Sequence, residues 1–91
     1  VHDCFSITGL LSLEALGLAP KGEAGRLVID GETGPQGRIP TNTSGGLIGY
    51  GHPTGASGVR MAVDLWKQLT GRAGDAQVKP RTSHGLMISM G

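Results

Sequence analysis

Apolar positions recur at helical spacing in two stretches of the chain. Ile7, Leu10, Leu11, Ala15 and Leu18 make the first, and Val59, Ala62, Val63, Trp66 and Leu69 the second. The spacing predicts two helices. Ser6 or Thr8 offers a capping hydroxyl for the first, and Gly17 and Pro20 end it. The second is expected over residues 53–70, because the fixed φ of Pro53 suits a first turn and Gly71 suits a stop. Arg60, Asp64, Lys67 and Gln68 fall on its other side, so the apolar stripe, Trp66 included, is expected in the core. Residues 1–5 read as the end of a strand, and residues 83–90 return to apolar character as another. Residues 21–40 are rich in Gly, Pro and charge around the short piece Leu27-Val28-Ile29. With the turn dipeptide Asp30-Gly31 they read as a loop-like connector, at most a hairpin. The order strand, helix, loop, helix, strand defines an α/β layer.

Composition narrows this to one small domain with a thin core. Ninety-one residues carry seventeen glycines and only three aromatics, Phe5, Tyr50 and Trp66, where aromatics usually supply much of the buried area. Val1 at the start and the apolar run up to Met90 at the end are expected to be cuts in a longer chain. A formal charge of +1, with no cluster of Lys or Arg, gives no electrostatic basis for binding nucleic acid. No apolar run approaches membrane-spanning length and no signal-peptide pattern opens the chain. A single cysteine suits a reducing compartment, so the cytoplasm is expected.

Candidate chemistry gathers on one glycine-rich stretch. Residues 44–58 hold six glycines and His52, just ahead of the second helix. Such density implies backbone at unusual angles or backbone that something else approaches closely. Beside Pro53, the imidazole of His52 is expected at the positive end of that helix, a place for chemistry on an anion. Thr41-Asn42-Thr43-Ser44 adds hydroxyls and an amide that can bind a ligand. Cys4, next to His2 and Asp3 on a strand-to-helix turn, is either a small packing residue or a thiol favoured as thiolate by the helix start.

Several nucleotide and metal chemistries do not fit. No Gly-Lys-Ser/Thr follows the glycines, which excludes a Walker A loop. The run from Gly49 to Gly55 is a weak match to a dinucleotide fingerprint, since Pro53 intrudes and no clear strand precedes it. His2, Cys4, His52 and His84 are suitable ligand types but lack a paired zinc spacing, so no metal is expected. Acyl chemistry remains: it needs a base, a tuned thiol and N–H donors for an oxyanion, and His52, Cys4 and the glycine amides offer these.

Three motifs, in order, then carry a family resemblance. His2-Asp3-Cys4-Phe5, Asn42-Thr43-Ser44-Gly45-Gly46, and Gly51-His52-Pro53 followed by Thr54-Gly55-Ala56-Ser57-Gly58 resemble the C-terminal part of a thiolase. The branch is that of the sterol carrier protein thiolases, where HDCF replaces the usual NEAF. The resemblance covers nearly the whole chain and implies one unit, residues 1–91, a fragment of the thiolase C-terminal domain. It implies acyl transfer between coenzyme A and a carbon or sulfur nucleophile, with acyl-CoA as substrate and no separate cofactor. The family's acylated cysteine lies in the N-terminal half, so this fragment is expected to be inactive alone.

By that resemblance His52 activates the missing nucleophile and lines an oxyanion hole, His2 helps to hold the water or oxygen there, and Cys4 shuttles the proton. Phe5, Ser44, Gly45 and Gly91 are expected in the substrate or oxyanion region. Where the family's CxG motif should follow the last strand, the chain reads Ser89-Met90-Gly91. A serine hydroxyl is too weakly acidic to exchange protons near neutral pH, whereas a cysteine with a pKa of about 8.5 can be tuned into range. The acid/base duty therefore falls to Cys4. An alternative placement brings His84 nearer that site. The same change also fits a thiolase-like protein without activity, a non-catalytic CoA-binding or assembly subunit. The sheet edge left by a missing last strand favours self-association, so a homo-oligomer is expected.

Overall fold

The computed structural model describes residues 1–90, and its regular elements are all helical. They are α1 (Ser6–Ala15), α2 (Ala24–Ile29), α3 (Gly46–Tyr50) and α4 (Ser57–Leu69), followed by a 3-10 turn over Gly74–Ala76. Neither expected strand forms among the described residues. Residues 1–3 and 84–90 carry no ladder of backbone hydrogen bonds, and a strand without a hydrogen-bonded neighbour is only irregular chain. The α/β layer is thus corrected to a helical arrangement here.

Helix ends follow local chemistry closely. In α1, α2 and α4 the two residues after the C-cap turn their N–H groups back onto the last-turn carbonyls. Leu18 donates to Leu13, Glu32 to Leu27 and Arg72 to Lys67. Gly17, Gly31 and Gly71 make each reversal at positive φ, so the expected stops at Gly17 and Gly71 hold. Asp30-Gly31 belongs to such a stop and not to a hairpin. It closes α2, a helix inside the segment expected to be loop. The start of α1 differs from expectation: Phe5 is its N-cap, no side chain caps it, and Ser6 is its first residue. Ser12 sends its hydroxyl back to the Thr8 carbonyl at 2.8 Å, which lets a serine be buried.

The main core is small. Leu13, Ala19 and Ala24 are buried between α1 and α2, with Leu10, Leu18 and Leu27 packed around them. Leu47 of α3 and Met61 of α4 are the other buried apolar residues described. Ile7 and Leu11 are exposed, because the polar residues Ser6, Thr8, Ser12 and Glu14 are spread around α1 and its pattern selects no single face.

α4 is turned opposite to expectation. Ser57 and Met61 are buried, while Val59 is 69% exposed and Trp66 54%, with Val63 also exposed. Its half-buried polar side chains explain the turn, since each satisfies a loop. Ser44 donates to Asp64 at 2.9 Å, and the Gln68 amide donates to the Ala76 carbonyl and accepts from the Val78 N–H. The position assigned to Trp66 is therefore corrected. It stands at the surface, with the Arg72 guanidinium 5.1 Å from its ring centroid.

Candidate active site

Two loops remote in sequence are laced together at the start of the chain. The Asp3 carboxylate accepts the Leu47 N–H at 2.7 Å, and the Asn42 amide donates to the Val1 carbonyl at 3.1 Å. Asp3 thus satisfies an otherwise unpaired amide at the start of α3. Gly46 permits the approach. It has φ +64°, and a β-carbon there would collide with the Asp3 carboxylate and the Asn42 amide nitrogen. Between these two anchors sits His2, only 3% exposed.

His52 meets it from the other side. The two imidazoles lie edge to face, 4.8 Å apart at 90°. Pro53 does not open α4, whose N-cap is Ala56. Its carbonyl instead accepts the N–H groups of Ala56 and Ser57, forming a turn that swings His52 back over the helix start. The imidazole of His52 does reach the head of α4, held there by a side-chain link and not by a first turn at Pro53. Nδ1 of His52 lies 2.7 Å from Oγ of Ser57, the first residue of α4.

The C-terminal segment completes the convergence. The Met90 N–H donates to Nδ1 of His2 at 3.2 Å, and a β-carbon on Gly58 would lie 3.6 Å from Oγ of Ser89. The stretches around His2, His52 and Ser89 therefore reach one place. His84 does not join them. It is exposed and pairs with the Ser83 hydroxyl at 2.9 Å.

The remaining candidates divide. Cys4 is a half-buried free thiol one residue before the N-cap of α1. Phe5 is exposed. The Ser44 hydroxyl is engaged by Asp64, and Arg60 reaches the same carboxylate at 3.5 Å while stacking 3.4 Å over the Tyr50 ring. Gly45 is exposed, with its α-carbon pressed so close to Tyr50 that a β-carbon would sit 3.3 Å from the ring. Gly91 lies outside the described residues. A cleft of about 520 Å³ opens beside the imidazoles, with Ser44, Tyr50, Ser57, Arg60, Asp64 and His84 among its walls, while His2, His52 and Cys4 do not line it. Among the described residues no three His, Cys, Asp or Glu side chains gather closely enough to hold a metal ion.

Ser57 and the Met90 amide were not singled out by residue type. Ser57 had a sequence signal, its place five residues after His52 in the same motif. A main-chain N–H has none.

Two imidazoles in edge-to-face contact, His2 buried and His52 half-buried, thus stand at the start of α4 beside a cleft. The chain belongs to the family described as thiolase C-terminal domain-like, whose model matches residues 1–91. It is 53% identical over 79 residues to an acetyl-CoA acetyltransferase of Methanothermobacter thermautotrophicus, a match covering 87% of this chain and 21% of that protein. To sterol carrier protein 2 of Homo sapiens it is 49% identical over 91 residues, covering 97% and 17%. To an acetyl-CoA acetyltransferase of Methanocaldococcus jannaschii it is 39% identical over 95 residues, covering 100% and 24%. The chain therefore spans a quarter or less of the length of these curated relatives.

Proposed function

We propose that this chain is the C-terminal portion of an acyl-CoA C-acyltransferase that joins two acyl-CoA molecules or cleaves 3-ketoacyl-CoA with free CoA. The supporting observation is the meeting of His2, His52 and the segment at Ser89 and Met90 in one site. In this reading His52 removes the proton of a cysteine thiol in the N-terminal half of the longer parent. As the thiolate attacks the thioester carbonyl, His2 and the now protonated His52 present N–H groups to the carbonyl oxygen as it gains charge. His52 then passes its proton to the CoA sulfur as the C–S bond breaks, and CoA departs as the thiol. Cys4 removes a proton from the methyl group of the second acyl-CoA in condensation and returns one in cleavage. The fragment by itself is inactive, lacking the nucleophile.

In the parent, Cys4→Ala is expected to abolish hydrogen exchange at the acetyl-CoA methyl group, followed by NMR in heavy water. Acylation of the nucleophile should persist. Normal exchange in the variant excludes the role of Cys4.

Ser89, standing where the family carries a second cysteine, favours one alternative, a thiolase-like subunit that binds acyl-CoA without forming an acyl-enzyme. We further propose that the protein self-associates, a reading supported by the exposed Phe5, Ile7, Leu11, Val59 and Trp66.

A further inference from the structure

We infer that the two imidazoles are held in opposite tautomers, His52 with a bare Nε2 and His2 with a protonated one, and that Ser57 and the Met90 amide are the positioning groups that set them. The use of this arrangement rests on the acyl-transfer reading, but the assignment itself follows from the partners. The Met90 N–H can only donate, so the Nδ1 of His2 must present a lone pair to it. A neutral imidazole carries one proton, and in His2 that proton is then on Nε2.

His52 is settled by counting hydrogens on Ser57. The single hydroxyl hydrogen has two neighbours, Nδ1 of His52 at 2.7 Å and the Pro53 carbonyl at 3.3 Å. A carbonyl oxygen accepts only. Giving the hydrogen to Nδ1 sets Oγ and the Pro53 oxygen lone pair to lone pair, at a serine only 2% exposed. Giving it to the carbonyl, as a third and longer donor beside the Ala56 and Ser57 N–H groups, satisfies both contacts, with Nδ1–H of His52 donating to Oγ. The Nε2 of His52 is then unprotonated.

The pair so arranged has one acceptor and one donor at rest. His52 Nε2 can take a thiol proton without any prior rearrangement. Once it has done so, that nitrogen is itself an N–H donor, while Nδ1–H stays on Ser57. Both rings then offer N–H groups to a developing oxyanion, His2 without having changed state. Ser57 and Met90 thus act through the two histidines and touch no substrate.

The test needs no substrate. With isotope-labelled histidine in the longer parent, long-range proton–nitrogen correlation spectra at mildly alkaline pH report which ring nitrogen is protonated. His52 is expected to show a protonated Nδ1 and His2 a protonated Nε2. Ser57→Ala should move His52 toward the Nε2-protonated form and leave the His2 signals in place. Met90→Pro, which removes the amide hydrogen, should shift His2, whereas Met90→Ala, which keeps it, should not. The same tautomer on both rings of the unsubstituted chain overturns the inference, and so does a His52 that ignores Ser57→Ala. Absence of an acyl adduct in the longer parent would strike the acyl-transfer reading instead and leave the tautomers standing.

Discussion

At the scale of single residues, the histidine site depends on how closely two loops approach, and Gly46 is the tightest point. Its φ of +64° and its contact with Asp3 both reject a side chain. Gly46→Ala is therefore expected to destabilise the chain by about 2 kcal/mol, read as a lower midpoint of urea unfolding. An unchanged midpoint contradicts the contact between Gly46 and Asp3. The histidines that this contact positions were legible in the sequence because each stands in a distinctive short motif. Their partners were legible only in part. Asp3 was visible as a neighbour of His2, but nothing in its type shows that its carboxylate receives an amide forty-four positions away. Met90 contributes main chain alone, and residue type does not report on that.

Among the elements, α4 shows what periodicity fixes and what it leaves open. Its alternation of apolar and polar residues located the helix and divided it into two sides. Which side turns inward depended on unpaired groups in the loops at residues 41–44 and 76–78, and Asp64 and Gln68 supply their partners. Burying a loop carbonyl or hydroxyl without a partner costs about 1–3 kcal/mol each, comparable with burying one aliphatic side chain. The polar face therefore competes on equal terms. Met61→Ala is expected to cost about 2–3 kcal/mol, and Val59→Thr less than about 0.5 kcal/mol. Denaturant titration of the two variants checks the order, and a larger loss at Val59 contradicts the orientation. The strands were misread for a related reason. Residues 1–5, read as the end of a strand, and the apolar segment 83–90 describe chain suited to pairing, but a ladder needs a second strand beside each, and the described residues provide none.

For the whole molecule, thickness is the controlling dimension. The chain measures 34 × 31 × 19 Å, and 19 Å is less than two helix diameters of about 10–12 Å each. A layer so thin cannot cover both sides of its helices, which accounts for the exposure of Trp66, Val59, Leu11 and Phe5 together. Self-association of the chain is expected as a sedimentation coefficient that rises with concentration, and Trp66→Ser should weaken that rise. A concentration-independent monomer contradicts it. The central claim concerns a longer polypeptide in which these residues serve a nucleophile elsewhere. It is tested most directly by mass spectrometry of the parent after exposure to acetyl-CoA. The account predicts an acetyl group on a cysteine outside residues 1–91, formed about 10²–10⁴-fold more slowly when His52 is replaced by alanine. An acetyl adduct that never forms, or one that forms at the same rate without the His52 imidazole, would contradict it.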